Sequence, residues 1–135
     1  MAIRGSCMCG AVRFELTPPT DFFSHCHCES CRRAHAAPFV SWTGVLEHRF
    51  RWVAGADKLR GYRSSHHATR TFCTVCGTRV SYVSTEWPGK VYVPVATLLD
   101  PMDREPESHI HIGEAVPWCV LGDSLPRHQG FGEGG

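Results

Sequence analysis

Apolar and polar residues alternate along several short runs of this chain, which is the period of a half-buried β-strand. The first is Gly10-Ala11-Val12-Arg13-Phe14-Glu15-Leu16, stopped by Pro18-Pro19. Phe39–Trp42 and Phe50–Val53 are short strand segments flanked by Gly44 and Gly55, and Arg79–Val83 alternates again. Lys90 to Ala96 is the most strand-like run, and Pro94 within it predicts a sheet edge or a bulge. His109-Ile110-His111-Ile112 alternates too, and either residue type can face inward. One short helix is expected, from Glu29 to Ala37, because the residue before Pro38 is biased away from helical geometry. The pattern predicts a single, mainly β domain over residues 1–126 with one short helix. The remainder, 127–135, reads as a flexible tail, with four glycines in its last six residues.

Composition narrows the class. The chain has 135 residues, 42% of them hydrophobic and 20% charged, which suits one globular domain and excludes a disordered polymer. No apolar run approaches the ~20 residues a membrane helix needs, and Met1–Gly10 holds no signal-peptide core, so no membrane association is expected. The net charge is +1, with only Lys58 and Lys90 among the lysines. A nucleic-acid partner is therefore not expected, since phosphate binding needs concentrated positive charge.

Eight cysteines and nine histidines stand out. Seven of the cysteines fall in tight clusters: Cys7-Met8-Cys9, Cys26-His27-Cys28-Glu29-Ser30-Cys31 and Cys73-Thr74-Val75-Cys76. Cysteines two apart are poorly placed to bridge each other but converge readily on an ion. A reduced, cytoplasmic metalloprotein is expected rather than a secreted disulfide scaffold.

Two of the clusters are alike. Cys7-x-Cys9-Gly10 and Cys73-x-x-Cys76-Gly77 each end in a glycine, which permits the sharp turn that points backbone N–H groups at thiolates. Each supplies two sulfurs, and structural zinc takes four. If the two half-sites meet, Cys7, Cys9, Cys73 and Cys76 form a closed clamp joining segments with 63 residues between them. The central cluster differs. Cys26, Cys28 and Cys31 are three ligands, and three leave one tetrahedral position free, as in catalytic zinc. Local spacing leaves that position open or closed by His25, His27, His35 or Cys119. His35, four residues after Cys31, is the best placed of these.

The arrangement of motifs resembles the glutathione-dependent formaldehyde-activating enzyme family, whose domain is also named for a centromere protein. The likeness is carried by Gly5-Ser6-Cys7-x-Cys9-Gly10-x-Val12-x-Phe14, by His25-Cys26-x-Cys28-x-x-Cys31-Arg32 and by Phe72-Cys73-x-x-Cys76-Gly77-Thr78. Ala37–Trp42, Tyr62–Ser65, His109-Ile110, Pro117-Trp118 and Asp123–Pro126 follow in the family's order, so the motifs extend over about residues 5–126. The resemblance implies a compact, mainly β fold of several coiled sheets, similar to a small zinc-binding exchange factor of Rab GTPases. It implies two zinc ions per chain. One is structural, on Cys7, Cys9, Cys73 and Cys76; the other, on Cys26, Cys28 and Cys31, is regarded as catalytic, which favours the open site. The implied activity is a carbon–sulfur lyase reaction that joins glutathione and formaldehyde into S-hydroxymethylglutathione.

Thiol chemistry supports that direction independently, because a metal-bound thiol loses its proton at neutral pH. The partners expected are a small thiol such as glutathione and a small aldehyde. Arg32 and Arg33 are candidates to hold glutathione carboxylates, against the alternatives of a solvated helix face or a hydrogen bond to a thiolate. His109 and His111 read as structural histidines and Cys119 as a small buried hydrophobe. Trp42, Trp52, Tyr82 and Tyr92 read as β-core residues rather than a ligand platform, while Phe39, Trp42 and the loop from His109 to Trp118 are candidates to set substrate selectivity around an open zinc. Two other classes compete with the enzyme: a zinc-stabilised binding module without chemistry, and a thiol or redox sensor built on Cys26, Cys28 and Cys31.

Overall fold

The computed structural model describes residues 1–131, and the fold is mainly β, with ten strands and one helix among those residues. Three strands, β1 (Ile3–Ser6), β2 (Arg13–Leu16) and β5 (Phe50–Ala54), form a small antiparallel sheet in the order β1-β2-β5. The others are β3 (Phe23–Cys26), β4 (Val40–Leu46), β6 (Leu59–Arg63), β7 (Ala68–Cys73), β8 (Arg79–Ser84), β9 (Lys90–Pro94) and β10 (Ser108–Ile110). They form a seven-stranded sheet in the order β10-β3-β4-β9-β8-β7-β6, antiparallel except for the parallel pair β10 and β3. Helix α1 (Glu29–His35) follows β3 directly. Among the described residues no helix is long and apolar enough to cross a membrane.

Alternation builds these strands where the sequence predicts them. In β2, Phe14 and Leu16 are buried while Arg13 and Glu15 face outward. The Phe14 ring stacks on Phe50 at 5.6 Å and meets Trp52 edge-on at 5.9 Å, which ties β2 to β5. Helix α1 ends at His35, two residues before the expected Ala37, because Ala36 takes a left-handed conformation as its C-cap. Its N-cap is Cys28, whose sulfur accepts the N–H of Cys31 at 3.3 Å. Pro94 proves to be neither at an edge nor on a bulge. Strand β9 runs inside the sheet between β4 and β8, and Pro94 is its last residue, where the chain turns away and no further ladder N–H is needed.

Two apolar clusters share the core, and each contains one group of cysteines. The first packs Ile3, Val12, Phe14, Leu16, Val45, Val80 and Val93 around Cys7 and Cys73. The second packs Val40, Trp42 and Ile110 around Cys26 and Cys31. The segment expected as a tail is held by the backbone as far as the structure describes it. Arg127 bridges to His109, the His128 N–H donates to the His109 carbonyl, and the His111 N–H donates to that of Gly130. The Phe131 ring closes on Trp87 and His111. Residues 132–135 of that expected tail lie outside the described residues.

Two cysteine centres and a cavity

The β1–β2 turn presents Cys7 and Cys9, and the β7–β8 turn presents Cys73 and Cys76. Gly10 and Gly77 both take φ of +81°, the left-handed turn that glycine allows. The N–H of Val12 donates to Cys7 Sγ at 3.3 Å, and the Thr78 hydroxyl lies 3.2 Å from Cys76 Sγ. Those Thr78 contacts, hydroxyl and N–H together, hold the Cys76 thiol down to about 5. All four sulfurs lie within 4.8 Å of one another. The Cys7–Cys9 separation is 3.6 Å and Cys9–Cys73 is 3.9 Å. A tetrahedron of zinc–sulfur bonds places sulfurs roughly 3.8 Å apart, so the donor set fits such an ion in spacing and in chemistry.

The second group is built by the end of β3 and the first turn of α1. Cys26, Cys28 and Cys31 also bring their sulfurs within 4.8 Å of one another, and all three are buried or half-buried. Three thiols so close cannot all ionise without a cation. Contact with Cys28 and Cys31, together with burial, drives Cys26 far above the ordinary thiol range. Cys31 is instead held at about 3, first by hydrogen bonds from Cys26 and Cys28, then by the charge of Arg70 and the indole of Trp42. Such a split between adjacent thiols is what a divalent ion would relieve.

Among the described residues, no fourth histidine, cysteine or carboxylate joins this group. His25 is engaged with Ser41 at 2.7 Å, and His35 packs edge-on against Trp42 at 5.3 Å between ring centres. His27 Nε2 and His109 Nδ1 are 2.8 Å apart, and His109 Nε2 lies 3.0 Å from Asp123. An ionised Asp123 makes that nitrogen of His109 the donor, so His27 Nε2–H in turn donates to His109. His109 is thereby a satisfied structural histidine, as expected. Cys119 is half-exposed in a loop beside exposed Trp118 and Val120, not the buried hydrophobe its neighbours suggest.

The three sulfurs line a cavity of about 610 Å³. A row of aromatic rings leads away from them: Trp42 to Tyr82 at 6.0 Å, Tyr82 to Tyr92 at 5.9 Å, and Tyr92 to Phe22 at 5.8 Å. Trp87 and Phe131 meet edge-on at 5.4 Å in the same wall. Trp42, Tyr82 and Tyr92 therefore serve the cavity as well as the core, whereas Trp52 belongs to the packing around Phe14. Arg70 and Lys90 are the cavity's lysine and arginine side chains. Arg32 and Arg33 do not line it. Arg32 Nε donates to the His27 carbonyl at 3.3 Å, Arg33 pairs with Glu29 at 3.7 Å, and both border a separate depression beside Trp118. Sequence reasoning missed Arg70, because the run Ala68-Thr69-Arg70-Thr71 carries no apolar alternation to mark which of its positions face inward.

A Halomonas elongata protein that provisionally carries the name glutathione-dependent formaldehyde-activating enzyme is 28% identical over 120 residues, covering 83% of this chain and 74% of its own length. An uncharacterized lyase of Schizosaccharomyces pombe is 28% identical over 89 residues, covering 66% of this chain; the match spans 63% of that lyase. A crystal structure of a Rhodobacter sphaeroides protein superimposes with a TM-score of 0.63 at 27% identity, covering 76% of this chain and 97% of the other. The family described as glutathione-dependent formaldehyde-activating enzyme matches residues 2–114, which include all seven clustered cysteines. With that match over most of its length, the chain belongs to the glutathione-dependent formaldehyde-activating enzyme family.

Proposed function

We propose that this protein is a zinc-dependent carbon–sulfur lyase that interconverts a thiol and a small aldehyde with their S-hydroxyalkyl adduct, glutathione and formaldehyde being the pair the family name indicates. The observation that carries the reading is the three-sulfur group that opens onto a cavity and, among the described residues, recruits no fourth protein ligand. Cys7, Cys9, Cys73 and Cys76 would hold a structural zinc, and Cys26, Cys28 and Cys31 the second. That second ion, when bound, would keep a substrate thiol deprotonated at neutral pH.

The chain's own residues supply position. The aromatic row from Trp42 to Phe22 gives the thiol's backbone and methylene groups apolar surface, and the cavity is large enough for both reactants. Holding sulfur and carbonyl carbon side by side converts a bimolecular addition into a unimolecular one. The addition also proceeds unaided, so rate rather than equilibrium is what the enzyme changes. Native mass spectrometry combined with exchange NMR of glutathione and formaldehyde tests the reading. Two zinc ions per chain and exchange well above the buffer rate are expected. Exchange at the buffer rate, or a Cys26/Cys28/Cys31 zinc whose X-ray absorption is unchanged by glutathione, would refute it.

A further inference from the structure

Arg70 sits within β7, between β6 and β8, with its side chain turned inward and only 5% exposed. Its guanidinium lies over the Tyr82 ring, 4.9 Å from the centre. Nε donates to Ser64 Oγ at 3.2 Å, and both terminal nitrogens lie 3.9 Å from Cys31 Sγ. Among the described residues no carboxylate pairs with it. A guanidinium buried this deeply needs a countercharge, and here the thiolate of Cys31 provides it. Those three contacts use three of the five N–H groups of an arginine. The remaining two, on opposite edges of the guanidinium, have no partner among the described residues, at a residue that lines the cavity beside the sulfurs.

Resting on the function proposed above, we infer that Arg70 is a catalytic residue: one of its free N–H groups holds the carbonyl oxygen of the aldehyde and stabilises the negative charge that develops there. In the addition, the thiolate sulfur forms a bond to the carbonyl carbon and the π pair of the C=O bond moves onto oxygen. The oxygen then takes one proton from water, replacing the one the thiol released. Arg70 stays protonated throughout and donates hydrogen bonds only. Three thiolates already outweigh a divalent ion by one charge, so the charge that opposes a developing alkoxide has to come from elsewhere in the wall. Of the other basic side chains there, Lys90 is engaged by Asp21, and His111 and His128 lie on the segments that close the far wall with Phe131. Arg70 is placed at the sulfurs, and preorganised donors of this kind act strongly where water is scarce.

The test compares Arg70→Gln and Arg70→Lys with the wild type, all loaded with zinc. Exchange NMR gives kcat and KM, calorimetry gives glutathione affinity without aldehyde, and native mass spectrometry counts zinc. In Arg70→Gln, two zinc ions and a glutathione affinity within about twofold of wild type are expected, with kcat about 100-fold lower. Arg70→Lys keeps the buried charge but lacks the fork, so a fall of about tenfold is expected; it decides the matter if Arg70→Gln does not fold. Wild-type kcat in both variants overturns the inference. Loss of the second zinc from both also overturns it, because Arg70 is then only the counter-ion of the sulfurs. A wild-type rate equal to buffer overturns the proposed function itself, and the role of Arg70 with it.

Discussion

Replacing Cys73 by alanine removes one sulfur from the group that joins the β1–β2 hairpin to the β7–β8 hairpin. Cys73 is fully buried among Val12, Val45 and Val80, so alanine leaves no stranded hydroxyl there. Its sulfur is 3.9 Å from that of Cys9, 64 positions earlier in the chain. Treating the metal link as a cross-link of that span, the closure entropy it removes from the unfolded chain is about 4 kcal/mol at 25 °C. That is a large share of the roughly 5–15 kcal/mol that holds an ordinary domain together. For a chain of this size it corresponds to a fall in Tm of about 15 °C. Cys28→Ala is the matched control. Its group lies within residues 26–31, and the same relation gives only about 2 kcal/mol for so short a loop. The assay is thermal unfolding followed by circular dichroism, with zinc counted by native mass spectrometry. One zinc is expected in each variant, with Cys73→Ala melting well below Cys28→Ala. Equal losses of Tm, or a Cys73→Ala protein that melts with the wild type, would refute the division into a fold-fixing centre and a local one.

Three further outcomes follow from particular contacts. Gly55 has φ of +78° and a Cβ there would stand 1.9 Å from the Ala11 carbonyl oxygen, whereas Gly89 has the same φ and open space around it. Gly89→Ala should therefore cost about 1 kcal/mol in urea unfolding, and Gly55→Ala several times more. His35 is held neutral by burial, then by the charges of Arg70 and Arg79, with its pKa down at about 4. The unfolded state binds the proton first, so this group's contribution is complete above about pH 6.5 and is lost as pH falls towards 4. His35→Phe should flatten the stability profile across that window, and an unchanged slope would contradict the assignment. Arg33→Ala removes an exposed pair with Glu29 outside the cavity, so glutathione affinity by calorimetry should stay within twofold of wild type.

The strands that stay hidden in the sequence are instructive. β3 turns Ser24 and Cys26 inward, and β7 turns Ala68, Arg70 and Cys73 inward. Their inner faces are polar because they build the site, so the alternation that reveals β2 and β8 is missing. β6 fails for another reason: it is the sheet's edge, exposed at every position but Leu59, and has no inner face to mark. The cavity itself is equally invisible in one dimension. Trp42, Tyr82 and Tyr92 come from three strands, and only the pairing β4-β9-β8 sets their rings about 6 Å apart.

By itself, the sequence determined the cysteine groups, the mainly β class and the short helix that presents Cys28 and Cys31. Each depends on interactions within a few residues: two ligands in one turn, a glycine after them, an apolar residue every second position. Tertiary structure alone decided that Cys7 and Cys9 meet Cys73 and Cys76, and that none of His25, His27, His35 or Cys119 joins the three central sulfurs. It alone turned Arg70 towards Cys31 and left Arg32 and Arg33 outside the cavity. The physical reason is strand register. Successive side chains point to opposite faces, so a slip of one residue in β7 would send Arg70 to the other side of the sheet. Such a register is fixed only by the partners on either side, β6 and β8.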